Sequence, residues 1–331
     1  MHRKLRIQTI GRALGLLVTG MLSTGLAVAA DLQLTDDVRL QLASVEEGAA
    51  AITAEDEFVR SLSRFDLQAR LKTDGEATVA QWQKFVAGEV RPWQPDQIKP
   101  MAAAVERLRP KLERLNLPLP KTILLVRTTG QEEAHAAYTR GTAIVLPDKV
   151  LAYEPAALDR LLVHELFHIL SRQHPMLRSE LYALIGFQLC PPIELPEMLA
   201  DRKLTNPDAP LVDCFIEIAD GDKTYSAAPV LYASTKEYDA KAGGSMFKYL
   251  TFRLLVIEKR DGAWQPAMKG EQPVVIDPKN LPAFFEQIGR NTNYIIHPDE
   301  ILADNFVHLV MGNQNLQTPR IVERMLAMLA K

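Results

Sequence analysis

The residues best suited to chemistry in this chain are consecutive: His164-Glu165-Leu166-Phe167-His168. Histidines four positions apart share one face of an α-helix, so both imidazoles can bind one metal ion, while the glutamate beside the first addresses a water in the open position. The flanking residues suit a buried helix. Pro155 fits a first-turn position, and Leu161, Leu162, Leu166, Phe167, Ile169 and Leu170 leave little polar surface. With only seven histidines in 331 residues, an accidental match to this spacing is rare. The expectation is a single zinc ion held by His164 and His168, with Glu165 as the general base of a hydrolysis.

Two imidazoles do not complete a zinc site, and the chain offers three candidates for the third ligand. Glu300 is preferred. It lies in Pro298-Asp299-Glu300-Ile301-Leu302-Ala303-Asp304, where Pro298 suits a helix start and Gly312 its end. Asp304 then stands one turn beyond Glu300 and can accept a hydrogen bond from the far nitrogen of a ligating imidazole. Glu197 opens Glu197-Met198-Leu199-Ala200-Asp201, the same E-x-x-A-D pattern only 29 residues after His168, but Pro196 and Pro207 confine any helix there to about two turns. His174 completes an H-E-x-x-H-x-x-x-x-x-H spacing with Ser171 where a chain leaving its helix would want glycine.

HELFH followed by EILAD resembles the gluzincin peptidases, the clan of thermolysin, in which a glutamate ligand and an aspartate four residues on follow the paired histidines. The likeness covers these two stretches only. It implies a zincin-like α+β domain cleaving peptide or protein substrates, in which Glu300 follows His168 by 132 positions and the intervening segment must form an inserted subdomain. The rival expectation is a non-catalytic zinc-binding or surface-associated module that keeps the same fold, against which Glu165 speaks, since a structural site has no use for a base. For an oxyanion donor, Tyr294 and His297 are the candidates just ahead of Glu300, with core packing and helix capping as their plainer roles.

The supporting elements follow from pattern. Residues 31–120 read as helical, with Thr53 capping a segment through Phe58, Leu62, Phe65, Leu67 and Leu71, Thr78 capping another through Trp82, Phe85 and Val86, and a third over 96–115 bent or interrupted by Pro100 and Pro110. Thr122–Val126 and Thr142–Leu146 are β-branched runs between turn residues, hence strands, and the second is a candidate edge for an extended peptide. Asp261-Gly262 marks the turn of a strand pair within 246–276, and helices are expected over 298–311 and 319–330. The domain reading is a helical segment over 31–120, then an α+β catalytic domain over 121–331 with a stapled insertion near 175–245.

At 47% hydrophobic and 24% charged residues the chain has the composition of a folded protein. His2, Arg3, Lys4, Arg6 and Arg12 precede an acid-free apolar stretch, Ala13–Ala30, with a small-residue finish: the layout of a signal peptide over 1–30, implying a periplasmic or extracellular destination. Its removal leaves no second stretch of membrane length. The leader holds four of the 38 bases and none of the 41 acids, so its loss moves the net charge from −3 to −7, a poor start for binding nucleic acid. Cys190 and Cys214, the sole cysteines, are expected to pair as a disulfide in that compartment.

Overall fold

The computed structural model of the chain describes residues 31–330, so the expected signal peptide lies outside the described residues. Two large sheets, a two-stranded ribbon (Met268–Lys269 with Gln272–Pro273) and the helices packed around them make up an α+β architecture, as the pattern implied. The first sheet has strands β1 (Leu32–Gln33), β2 (Arg39–Leu42), β3 (Thr122–Thr128), β4 (Tyr138–Arg140) and β5 (Ala143–Pro147) in the order β1-β2-β3-β5-β4. β2, β3 and β5 run parallel, and β1 and β4 close the two edges antiparallel.

The first two strands correct the helical reading of 31–42. Arg39-Leu40-Gln41-Leu42 buries its leucines and shows its polar residues, a period of two too short to stand out from the helical stretch that follows. Helices fill the rest of 43–120, with different caps from those expected. Thr53 does not begin the segment through Phe58 but ends Val45–Thr53, a helix that Ser44 opens with a capping box to Glu47; Phe58 lies on the short helix Glu57–Arg60 capped by Asp56, and Ser63 with Asp66 starts a new helix over Arg64–Leu71. Thr78 does cap Val79–Ala87, boxed by Gln81. Pro95–Leu112 runs as one helix through both of its internal prolines.

Alternation along the strands divides the core. Leu40, Leu42, Ile123, Leu125, Ile144 and Leu146 face the helices Pro95–Leu112 and Pro155–Gln173, while Val126, Tyr138 and Val145 face Ile52, Trp82 and Val86. The sheet is thus covered on both faces, and the N-terminal segment supplies two strands of the sheet, β1 and β2, as well as helices on either side. β5 sits between β3 and β4, so the run at 142–146 is interior and β4 is the edge.

The second sheet, antiparallel, is drawn from residues 187–276: β6 (Phe187–Leu189), β7 (Cys214–Asp220), β8 (Lys223–Ala233), β9 (Leu250–Arg260) and β10 (Ala263–Pro266) follow in sequential order, and the short strand Val275–Ile276 also pairs with β9. Asp261 (φ 50°) and Gly262 (φ 83°) make the β9–β10 turn, both in the left-handed region a two-residue hairpin requires. Cys190 and Cys214 are free thiols here, which overturns the expected disulfide. Leu189 pairs with Cys214 across β6 and β7, so Cys190, one residue on, turns to the opposite face. It packs among Ile193 and Phe215, whereas Cys214 lies in the main core with Ile216 and Phe187. No helix among the described residues is long and apolar enough to cross a membrane.

Candidate metal centre

The centre lies where Pro155–Gln173 packs against Pro298–Met311. Phe167 and Phe306 meet across that contact with ring centroids 5.7 Å apart, and both are fully buried. The second helix is begun by His297, whose ring Nδ1 accepts from the Asp299 N–H, and ends at Gly312 with φ 71°. These termini fix the axial level at which Glu300 faces the two histidines.

His164, His168 and Glu300 present one donor atom each within 4.8 Å of one another. Glu300 Oε2 is 3.0 Å from His164 Nε2 and 3.5 Å from His168 Nε2. On the far side of each ring a carboxylate holds Nδ1: Asp304 at 3.1 Å for His164 and Asp299 at 2.7 Å for His168. Each imidazole therefore keeps its proton on Nδ1 when neutral and turns the Nε2 lone pair inward. Asp299 also accepts from Ser171 Oγ at 2.5 Å and Tyr182 Oη at 3.0 Å, and Thr292 donates to Asp304.

Two observations test whether a cation fits. His168 Nε2 and Glu165 Oε2 are buried without a hydrogen-bond partner, an expensive state for polar atoms unless something else occupies the space between. The imidazoles also draw positive charge. Burial opposes protonation of His164, yet its hydrogen bonds to Asp304 and Glu300 prevail and raise it to about 10. His168 is likewise raised, the Asp208 and Glu300 carboxylates outweighing burial. A metal ion would supply that charge with both rings neutral. The set of two nitrogens and one carboxylate oxygen can hold one.

Glu165 is 2% exposed, and burial, reinforced by the Asp208 carboxylate, pushes its carboxyl above the usual carboxylate range. Asp208 was not singled out by its sequence context. Its Oδ1 accepts from Thr139 N at 2.7 Å and Thr139 Oγ1 at 2.6 Å, and its carboxylate lies within 4.8 Å of Glu165 and His168. The loop bearing it also carries Asn206, whose Nδ2 donates to Glu300 Oε1 at 2.6 Å. Asp299 is equally unmarked in the sequence, where its position next to a ligating glutamate is the one available signal.

A cavity of about 370 Å³ opens onto His164, Glu165, Glu300 and Asp304, with Tyr294 and Arg160 on its walls. Tyr153, Phe247 and Tyr294, the exposed aromatic residues among those described, all border this cavity or the one adjoining it. Tyr294 sits with its ring centroid 6.3 Å from that of His164; although much of the side chain is exposed, desolvation around its hydroxyl and the Glu300 carboxylate hold the phenol in the protonated form. His297 does not join the site: its Nε2 faces Cys214 Sγ at 3.7 Å in the core. Glu197 is exposed on the single turn Glu197–Ala200, and His174, at the end of its helix, bonds the Pro118 carbonyl. The edge strand β4 is also not free at Thr139, whose N–H is taken by Asp208.

Set against family models, curated proteins and solved structures, the chain finds no match.

Proposed function

We propose that the chain is an exported zinc-dependent peptidase of gluzincin type, with His164, His168 and Glu300 as metal ligands and Glu165 as general base. The observation that carries this reading is the unpartnered Oε2 of buried Glu165 beside the three donors, at the floor of an open cavity. A site built only to hold a metal gains nothing from a buried carboxylate left without a partner. The mixture of imidazole and carboxylate donors suits zinc. The basic, apolar and small-residue layout of 1–30 supports export.

A zinc ion bound there supplies a Lewis acid for the scissile carbonyl and lowers the pKa of water toward neutrality. Glu165 accepts the proton of the attacking water and returns it to the departing amine. Asp304 and Asp299 hold the imidazoles in the Nδ1–H tautomer, and Tyr294 donates its O–H to the oxygen that gains charge. Exposed Tyr153, Phe247 and Tyr294 give an extended chain apolar surface to lie on.

The test is digestion of a mixed peptide library by zinc-loaded protein. Glu165→Gln should keep the metal and the fold and lose roughly 10² to 10⁴ in rate. Equal cleavage by the variant, or none by the unaltered protein, ends the peptidase assignment.

A further inference from the structure

Glu300 uses its two oxygens differently. Oε2 faces both imidazoles, while Oε1 accepts from Asn206 Nδ2 at 2.6 Å. The amide of Asn206 is fixed from its other end as well, since Oδ1 accepts from the N–H of Asp208 at 3.0 Å. The nitrogen is therefore committed to Glu300. A carboxylate with both oxygens free can swing or grip an ion with both; one whose Oε1 is occupied presents Oε2 alone.

The loop carrying Asn206 is anchored at the residue before it. Thr205 gives its N–H to Asp66 (3.1 Å to each oxygen) and its hydroxyl to Asp66 Oδ2 at 2.7 Å, and its carbonyl accepts from Arg70 Nη2 at 2.9 Å. Asp66 and Arg70 are themselves paired at 2.5 Å, and Arg70 grips Glu133 through Nε at 2.6 Å and Nη2 at 3.1 Å. All three charged side chains are at most 3% exposed. A buried cluster of charges stabilises a fold less well than apolar residues of the same volume. What this cluster does that apolar packing cannot is hold the N–H, hydroxyl and carbonyl of Thr205 together.

We propose that Asn206 is the positioning residue of Glu300, confining it to one ligating oxygen, and that the buried Asp66–Arg70–Glu133 cluster sets Asn206 through Thr205. The inference rests on Glu300 as a metal ligand and is independent of whether the substrate is a peptide. It makes the N-terminal region part of the metal centre, though none of its residues reaches the ion.

The experiment uses full-length protein loaded with Zn²⁺ or Co²⁺. Zinc affinity is read by competition with a chromogenic chelator, the geometry around the metal by the visible absorption of the cobalt form, and folding by circular dichroism. Asn206→Ala removes the donor; Asn206→Asp keeps the acceptor for Asp208 N–H and replaces the donor with an anion; Thr205→Val removes one hydroxyl from the anchor. The expected result is zinc binding weakened about 10 to 100-fold in both Asn206 variants, as for other groups behind a ligand. Their cobalt bands should shift while the far-ultraviolet spectrum stays unchanged, and Thr205→Val should move the same way by less. Native affinity and an unshifted cobalt band in a folded Asn206 variant would overturn the proposal while leaving the metal centre standing. Should the unaltered protein bind neither ion, the centre itself is wrong and the proposal falls with it.

Discussion

Each imidazole of the centre has its own carboxylate, yet the two carboxylates are not equivalent. Asp299 is 3% exposed and serves His168, Ser171 and Tyr182 together; despite burial, the hydrogen bond and charge of His168 hold it down to about 2. Asp304 is partly open and serves His164 and Thr292. Asp304→Asn should lose roughly 10 to 100-fold in zinc affinity; Asp299→Asn should lose more and should also lower thermal stability, whereas Glu197→Ala and His174→Ala should leave a chelator titration unchanged. His297 bears on stability instead. Burial, aided by the Arg178 guanidinium, lowers it to about 4, below its ordinary value near 6.5. Between those values the unfolded chain binds a proton that the folded chain refuses, so stability is lost as pH falls from about 6.5 to about 4, by up to about 3 kcal/mol. His297→Asn keeps a cap and removes the titration. In urea unfolding from pH 7 to 4, any stability advantage of the native protein over this variant should shrink across that window; a constant difference contradicts the assignment. His164, Glu165, His168, Glu300 and Asp304 were legible because a helix converts spacing directly into a shared face. Asp208 and Asn206 were not, because a loop has no period that tells which way a side chain points.

At the scale of elements, the helices bearing the ligands were the most readable parts of the chain. Pro155 and Pro298 begin them as expected, and Gly312 ends the second in the left-handed conformation at φ 71°. A Cβ at Gly312 would meet nothing within 4 Å, so Gly312→Ala isolates the backbone term. It should cost about 1 to 2 kcal/mol, read as a lower urea midpoint with an unchanged slope; no loss would mean that the helix end is not held in that conformation. Less readable were the strands at 32–42 and the faces of the two cysteines. A strand of four residues gives too few periods to distinguish it from a helix turn, and which face a thiol takes depends on register with a partner far along the chain.

Across the whole molecule, the boundary expected near residue 120 divides the sequence but not the structure. β2 hydrogen-bonds along β3 with Leu40 beside Ile123 and Leu42 beside Leu125, and the Asp66–Arg70–Glu133 cluster ties 66 and 70 to 133 and 205. A chain starting at residue 121 would expose one side of β3 and leave Glu133 buried without its cation. It should therefore be recovered insoluble or unfolded by circular dichroism, and a folded, zinc-binding fragment would show that the N-terminal region is a detachable lobe. The central claim, that the two helices bring His164, His168 and Glu300 together on one zinc ion, is tested most directly by anomalous X-ray scattering at the zinc edge from crystals of the zinc-loaded protein. The account predicts a single strong peak about 2.0 to 2.2 Å from His164 Nε2, His168 Nε2 and Glu300 Oε2, within reach of Glu165 but not bonded to it. A peak at either of the other donor groups among the described residues, Asp213 with Cys214 and His297 or Glu165 with His168 and Asp208, or no peak at full zinc loading, would contradict it.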